Sequence, residues 1–227
     1  MRTMKEENKD LRGRGQGDHG TYVGWILPKE IPDIGVSSYV RDPYTQRMVG
    51  LLSQGENMLW HKLRWRQDVD DIREQFPLNL EDTNRIADEF GYRRAGNGRY
   101  HMTTDLLVTL NDGSLEAYAV KATHDDADKK RTREKLEIEE RYWQERGVSW
   151  HLVCKEDLNK DEWKNIRDVF SAYDTRFISN DMGWIRHLIA VRAITVDMTR
   201  RFDYTALLKE YEENAYWKEL ISAMKRC

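Results

Sequence analysis

The 227-residue chain has no long apolar run, few cysteines and prolines, and no excess of positive charge. No stretch approaches the roughly 18 consecutive apolar residues of a membrane span, and no apolar segment follows the charged N-terminus as it would in a secretory signal. The two cysteines, Cys154 and Cys227, lie far apart in the sequence, which favours a reduced chain over a disulfide framework. We therefore expect no membrane contact and a cytoplasmic protein.

Several site signatures are also missing. The six histidines show no paired spacing of the kind that binds zinc, and neither a P-loop nor a dinucleotide-binding glycine motif occurs. The net charge of −3 is unusual for a protein that binds DNA strongly by itself. The chain does have 39% hydrophobic residues, with eight tryptophans and eleven tyrosines, which is enough for one large domain or a core domain with a small appendage.

The residue pattern divides the chain into three parts. Residues 1–20 mix glycine, arginine and acids without periodicity, which predicts a flexible arm. Residues 21–158 alternate helical and strand patterns, which predicts an α/β domain. Residues 159–227 are mainly helical in pattern, with one short strand expected at 193–197, which predicts a small second domain.

Within the α/β part, strands are predicted at IREQFPL, twice within MTTDLLVTLNDGSLEAYAVK, and at 149–154. A long helix is predicted over 125–146, because acids lie at its start and Arg146 and Gly147 at its end. A strand, a helix and a strand in that order form a crossover connection between parallel strands. We therefore predict a mixed sheet flanked by helices.

The stretch MTTDLLVTLNDGSLEAYAVK predicts a β-hairpin with one aspartate near its start, Asp105, and one lysine at its end, Lys121. A two-residue Asp-Gly loop would pair Asp105 with Val120 and turn Lys121 to the opposite side. A three-residue Asn-Asp-Gly loop with a left-handed Gly113 would pair Asp105 with Ala119 and bring Lys121 to the same face. The sequence Asn-Asp-Gly favours the second register.

A carboxylate and an ammonium group on one face have two interpretations. The simpler is a cross-strand ion pair, worth under about 1 kcal/mol when exposed. The other is a nuclease site, in which carboxylates hold Mg²⁺ and a lysine positions or activates the attacking water. Glu56 is the candidate for a further acid from an earlier helix, although Ser53-x-x-Glu56 is also a capping box in which Glu56 reaches back to the backbone N–H of Ser53.

Five pieces of the sequence resemble one family: LLSQGENMLW, VDDIREQFPL, MTTDLLV, AVK and TREKLEIEERYWQERGVSWHLV, in that order. From about Gly13 to Leu152 the chain resembles TnsA, the family of endonuclease subunits of heteromeric, Tn7-like transposases. The resemblance implies a restriction-endonuclease-like fold followed by a small, winged-helix-like C-terminal domain. It also implies a DNA endonuclease that uses Mg²⁺, for which Mn²⁺ can substitute, to cleave the 5′ strands at transposon ends.

The same resemblance implies a set of partners. These are the DNA of the transposon ends, a DDE-type transposase subunit that cuts and joins the 3′ ends, and an AAA+ regulator that is bound through the C-terminal domain. The implied location is the bacterial cytoplasm, at the nucleoid during transposition.

Residue by residue, the family's helix glutamate falls on Glu56, its metal-binding aspartate on Asp105 and its lysine on Lys121. The family can carry a glutamine or another polar residue two places before that lysine, where this chain has Ala119. The departure implies either a site of two carboxylates completed by the backbone carbonyl of Val120 and by water, or a weakened enzyme.

Further side chains are candidates on weaker grounds. Glu74, Gln75 and Glu139 are expected to hold the site residues in place, although a polar strand face and a solvated helix face are competing interpretations. Two basic groups are expected to contact DNA phosphates, although surface ion pairing explains the second group as well. They are Arg93, Arg94 and Arg99 before the hairpin, and Lys129, Lys130 and Arg131 in the helix after it.

Three functions therefore compete. The first is the endonuclease subunit of a transposase complex. The second is a free-standing restriction-like or resolvase-like nuclease, which would cut DNA unaided. The third is a non-catalytic adaptor between a transposase and its regulator, an alternative that Ala119 keeps open.

Overall fold

The computed structural model describes residues 6–31 and 36–226. They fold into two compact units, the first of which ends at Leu158 and the second of which begins at Asn159. None of the helices in these described ranges has the length and apolar character that a bilayer crossing requires.

A mixed sheet forms the core of the first unit. The strands of the described residues are β1 (Ser38–Arg41), β2 (Met48–Leu51), β3 (Val69–Pro77), β4 (Thr103–Leu110), β5 (Leu115–Lys121) and β6 (Ser149–Cys154). β1 and β2 pair as a separate antiparallel hairpin, and the other strands form one sheet in the order β3-β4-β5-β6. Only β5 and β6 are parallel in that sheet, so the predicted crossover and mixed sheet are confirmed.

Helices flank this sheet, as predicted. Those of the first unit are α1 (Glu6–Asp10), α2 (Gln54–Arg64), α3 (Leu80–Glu89), α4 (His124–Asp128) and α5 (Lys130–Gln144). α3 and α5 enclose one apolar cluster with the sheet, whose fully buried members include Leu78, Ile86, Leu107, Ala117 and Ile138. α2 buries the apolar face that its sequence predicts, Met58, Leu59, Trp60 and Leu63.

The hairpin between β4 and β5 has the three-residue register. Leu106 pairs with Tyr118 and Leu107 with Ala117, and Gly113 is left-handed with φ +83°. Continuing this register by one pair sets Asp105 opposite Ala119. The Asn-Asp-Gly prediction is confirmed, because glycine adopts the left-handed conformation without the steric cost of a Cβ.

The single helix predicted over 125–146 is wrong, because the chain forms α4 and α5 with an extended residue between them. Lys129 has φ −56° and ψ 127°, which ends one helix before the other begins. The break allows Ala127 of α4 and Leu136 of α5 to pack together on Ala119. Burial of these side chains thus outweighs the continuous helical propensity of the segment.

Residues 6–20 of the predicted flexible arm contact the rest of the first unit, and residues 1–5 lie outside the described residues. Arg14 is buried, and its Nη1 and Nη2 donate to the Glu30 carboxylate at 2.9 and 3.0 Å. The same guanidinium donates to the carbonyl oxygen of Trp25 at 3.2 Å. A glycine- and charge-rich composition hid this docking, because it does not reveal which charges are paired.

The second unit is helical over its described residues. Its helices are α6 (Lys160–Phe170), α7 (Asp181–Ala190), α8 (Tyr204–Glu213) and α9 (Ala215–Met224). The strand expected at 193–197 is wrong: the segment is rich in β-branched residues, but no strand of residues 159–226 is available to pair with it. The helical pattern of the last part of the chain is interrupted at Asn214, whose side chain accepts from the backbone N–H of Trp217 and so caps α9.

Candidate active site

One edge of the mixed sheet gathers four side chains that the sequence singled out. β3 ends, β4 begins and β5 ends at this edge, because the three strands are antiparallel neighbours. Gln75 near the end of β3, Asp105 near the start of β4 and Lys121 at the end of β5 therefore lie close together. The first turn of α2 brings Glu56 to them.

Asp105 is tied to the end of β5 through one carboxylate oxygen. Its Oδ2 accepts a hydrogen bond from the backbone N–H of Val120 at 2.7 Å and lies 3.8 Å from the Nζ of Lys121. The same Nζ donates to the carbonyl oxygen of Val120 at 2.8 Å. The three residues are thus in direct contact, and the carbonyl expected to bind metal has the Lys121 ammonium as its partner.

Glu56 caps α2 and faces the site at the same time. The Ser53 hydroxyl accepts from the backbone N–H of Glu56 at 3.1 Å, and Oε2 of Glu56 accepts from the backbone N–H of Leu52 at 2.9 Å. The capping interaction therefore goes to Leu52, one residue before the N–H that a capping box uses. The side chain is only 6% exposed, so capping does not turn it away from the interior.

Gly55 allows α2 to approach the end of β5. A Cβ atom at this position would lie 2.9 Å from Cγ1 of Val120 and 3.2 Å from Cβ of Lys155. The branched side chain of Val120 and the first carbon of the Lys155 side chain have little freedom to move, so such a contact would require a local shift. The glycine before Glu56 is thus part of the reason that this carboxylate reaches the edge of the sheet.

The side-chain amide of Gln75 joins the two acids. Its Nε2 donates to Oδ1 of Asp105 at 3.1 Å and lies 3.4 Å from Oε2 of Glu56. Its Oε1 accepts from the hydroxyl of Thr103 at 2.9 Å, which fixes the amide orientation. Gln75 also has a left-handed φ of +48° within β3, a conformation that costs a non-glycine residue about 1–3 kcal/mol and persists where the surroundings impose it.

Glu139 of α5 is a third buried acid near Asp105, and it is 5% exposed. Its Oε1 accepts from the hydroxyl of Thr104 at 2.8 Å, and that hydroxyl in turn accepts from Nε1 of Trp143 at 2.7 Å. Burial, followed by the negative charge of Asp105, raises the pKa of Glu139 to about 8. The same two causes raise the pKa of Glu56 to about 8. Both acids therefore tend to stay protonated at neutral pH until a positive charge joins them.

This cluster fits a hard divalent cation. Among the described residues, Lys121 is the one cation within ion-pair distance of any of the three acids, and it reaches only Asp105. One ammonium does not neutralise three carboxylates in a poorly solvated site. The donors are carboxylate and backbone carbonyl oxygens, which suit Mg²⁺ or Mn²⁺ better than softer ions.

Two threonines in this network were not identified from the sequence. Thr103 orients the Gln75 amide, and Thr104 binds Glu139. The available signal was their position directly before Asp105 in MTTD, but hydroxyl residues at a strand start are too common to indicate a site.

Glu74 does not belong to the cluster. Its carboxylate accepts from Nη1 of Arg47 at 2.7 Å and from the backbone N–H of Gly50 at 3.2 Å, and both charged side chains are buried. Burial, only partly offset by Arg47, raises the pKa of Glu74. Glu74, expected from the sequence to hold the site residues in place, makes its side-chain contacts with Arg47 and Gly50. It ties β3 to the β1-β2 hairpin, because its side chain points away from the partners of Gln75.

Arg47→Ala is expected to reduce the free energy of unfolding by about 3–5 kcal/mol, because it leaves the Glu74 carboxylate buried without a partner. Urea denaturation of the purified chain measures this loss. Arg41→Ala on the same hairpin removes an exposed guanidinium and is the matched control, with an expected change within about 0.5 kcal/mol. Equal small losses for both variants would show that the Arg47–Glu74 pair is not needed to hold the hairpin to β3.

A cavity of about 1110 Å³ opens over the cluster. Glu56, Asp105, Lys121 and Glu139 are among the residues that line it. Basic side chains from four segments also line it, namely Arg93, Arg94, Lys129, Arg131, Lys135 and Lys155. The opening thus combines buried acids with a basic rim, a charge arrangement that suits a phosphodiester substrate.

The basic residues predicted to contact DNA do not all share this position. Arg99 and Lys130 are not among the lining residues of the cavity. Of those that are, Arg94 and Lys129 each pair with an aspartate at 2.5 Å, and Arg131 pairs with Glu134 at 2.8 Å. Lys155, which also lines the cavity, was not selected from the sequence as a DNA contact.

Ala119 is completely buried, and it packs on Ala127 and Leu136. The position is therefore closed to water, and a polar side chain there would lose its hydration. The amide that contacts the two carboxylates comes instead from Gln75, on the other side of Asp105 in the sheet.

The chain is similar to known proteins. Residues 66–155 match the family described as TnsA-like endonuclease N terminal. The chain is 37% identical over 164 residues to the Escherichia coli protein named transposon Tn7 transposition protein TnsA. The aligned region covers 70% of this chain and 60% of that protein. The chain therefore spans less than two thirds of the length of this relative. Gln75, Asp105, Lys121 and Glu139 lie inside the matched family segment, and Glu56 precedes it.

Proposed function

Because the chain is TnsA-like and carries a TnsA-like endonuclease domain, we propose that it is the metal-dependent endonuclease subunit of a transposase complex. In this proposal it hydrolyses the 5′, non-transferred strands at transposon ends. The observation that carries the proposal is the meeting of Glu56, Asp105 and Lys121 at one sheet edge, beneath a cavity with basic walls. An ion pair of Asp105 and Lys121 on the surface would need neither Glu56 nor the cavity.

Glu56, Asp105 and the Val120 carbonyl are the groups proposed to hold Mg²⁺ or Mn²⁺, with Glu139 adding negative charge nearby. When bound, such a cation supplies positive charge for the phosphate and for the leaving 3′ oxygen. Lys121 is proposed to orient the attacking water, since its ammonium is held in place by both Asp105 and Val120. Gln75 keeps the two carboxylates at a fixed separation.

The basic rim is proposed to receive the DNA backbone. Arg93 is an exposed cation at the cavity wall, and Lys155 enters the wall from the end of β6. The basic side chains of the rim are few and the net charge of the chain is −3, so phosphate contacts alone give weak binding to DNA. Recruitment by a DDE-type transposase subunit on the same DNA would raise the local concentration of the nuclease.

The second unit is proposed to contact an AAA+ regulator, and the complex to act on DNA in the bacterial cytoplasm. The resemblance to TnsA, and not the geometry of the site, supports the proposed regulator and the proposed location.

Strand-specific cleavage tests the proposal directly. The purified chain is mixed with end-labelled transposon-end DNA, with and without the transposase subunit, in Mg²⁺ or in EDTA. We expect 5′-strand cuts only when Mg²⁺ and the partner are both present, since DNA binding by the chain alone is weak. Cleavage without the partner would identify a free-standing nuclease. Unchanged 5′ cleavage after simultaneous replacement of Glu56, Asp105 and Lys121 would support an adaptor, or would place the reaction at another site.

A further inference from the structure

A second cluster of potential metal ligands lies where the parallel strands β5 and β6 end. Cys154 is the last residue of β6, and Asp157 lies in the turn that follows it. His124 is the first residue of α4, three residues after Lys121. Crossover topology places the ends of parallel neighbours at the same edge, which brings these residues together.

The three side chains are in contact. Sγ of Cys154 lies 3.5 Å from Nδ1 of His124, and Nε2 of His124 lies 3.0 Å from Oδ2 of Asp157. These contacts use the two different ring nitrogens, and one ion takes only one of them, so an ion bound by all three side chains replaces one of these contacts. One ligand atom from each residue lies within 4.8 Å of the other two. The backbone N–H of His124 also donates to Oε1 of Glu156 at 2.7 Å, which fixes the start of α4 relative to the turn.

The distance between sulfur and nitrogen fits a shared ion. Zinc binds thiolate sulfur at about 2.3 Å and imidazole nitrogen at about 2.0 Å, so two such ligands in a tetrahedral site lie about 3.5 Å apart. The two clusters favour different metal ions. A thiolate and an imidazole select zinc-like ions, whereas Mg²⁺, the ion that suits the first cluster, takes oxygen ligands.

The surroundings favour a cation with an open coordination position. The Cys154 side chain is buried, with 2% of its surface exposed, whereas His124 and Asp157 are exposed to solvent. The ligand set is thus anchored on a sheet strand at one side and open to solvent on the other. Asp157 and Glu156 supply negative charge at this opening.

We propose that Cys154, His124 and Asp157 bind a zinc-class transition-metal ion, with solvent at the remaining position. The ion joins the start of α4 to the turn after β6. Cys154 pairs with Lys121 in the parallel register of β5 and β6, so the ion braces the strand end from which Lys121 enters the proposed nuclease site. The inference concerns a separate ligand set and does not require that the chain cleave DNA.

Cobalt(II) titration of the full chain tests the site. Cys227→Ser is introduced in every sample, so that Cys154 is the one thiol left in the sequence. We expect one equivalent of Co²⁺ to give a thiolate-to-cobalt charge-transfer band that excess Zn²⁺ removes. The oxygen ligands of the nuclease site cannot produce this band, and it should persist in Asp105→Asn.

Variants of the ligands complete the experiment. Cys154→Ser is expected to abolish the charge-transfer band, and His124→Ala and Asp157→Asn to weaken Co²⁺ binding by at least about tenfold. His151→Ala, an exposed histidine of β6, is the matched control and should bind as the parent does. Circular dichroism confirms that each variant is folded. Absence of the band in the folded parent, or unchanged Co²⁺ binding in both His124→Ala and Asp157→Asn, would overturn the proposal.

Discussion

Replacing Asp105 by asparagine is expected to reduce 5′-strand cleavage by on the order of a thousandfold, an effect of the size seen when a single electrostatic group is lost from an active site. Asparagine has the same shape, and its amide oxygen can still accept from the backbone N–H of Val120, the contact that Oδ2 makes at 2.7 Å. It lacks the negative charge that would hold a divalent cation between Glu56 and Lys121. The fold should therefore survive while the reaction does not.

The measurement is cleavage of end-labelled transposon-end DNA by the chain together with its transposase partner. In Asp105→Asn the 3′ cuts made by the partner should persist, which shows that the complex still assembles. Asp112→Asn makes the same chemical change at the exposed turn of the same hairpin and should cleave at the parental rate. A parental rate in Asp105→Asn would place the reaction at some other site.

The hairpin shows how far local rules reach. The Asn-Asp-Gly loop determined the register, and the register brought Lys121 within 3.8 Å of Asp105. The register could be predicted because the preference of glycine for the left-handed conformation has a local steric cause, the absence of a Cβ atom. The Ser53 cap of α2 could be predicted in the same way, since a cap depends only on the residues of its own turn, although the Glu56 carboxylate binds the N–H of Leu52 and not that of Ser53.

Residues 74–75 show where such rules fail. Strand alternation predicts that adjacent residues face opposite sides, but it does not say which of Glu74 and Gln75 faces the acids. The left-handed φ of Gln75 departs from regular strand geometry, and nothing in the sequence announces it. The choice depends on Arg47, 27 positions away, which takes Glu74 into a buried ion pair. The docking of Arg14 on Glu30 was hidden for the same reason.

The buried acids also have a consequence for stability. Glu56 and Glu139 have pKa values of about 8 in the folded chain, against an ordinary value of 4.5. Between about pH 4.5 and pH 8 the folded state therefore binds more protons than the unfolded state does. The free energy of unfolding of the metal-free chain should fall through this interval, by up to about 1.4 kcal/mol per pH unit for each group. A cation that binds the ionised carboxylates should reverse the trend.

Glu139→Gln is expected to remove one of these two contributions. A glutamine oxygen can still accept from the hydroxyl of Thr104, so the variant should match the parent near pH 5, where Glu139 is protonated. By pH 8 the parent has begun to ionise a buried carboxyl next to Asp105, and the variant should be the more stable by about 3 kcal/mol in EDTA. Urea denaturation at the two pH values measures the difference.

Glu140→Gln on the neighbouring, partly exposed position of α5 is the matched control and should follow the parental pH dependence. Parallel pH profiles for Glu139→Gln and the parent would mean that Glu139 ionises as an ordinary carboxyl despite its burial. If the profiles diverge as expected, adding Mg²⁺ at pH 8 should stabilise the parent more than it does at pH 5, because binding must displace protons from the acids at the lower pH. The energetic cost of gathering these acids without a cation would then be measured in the absence of DNA, independently of cleavage.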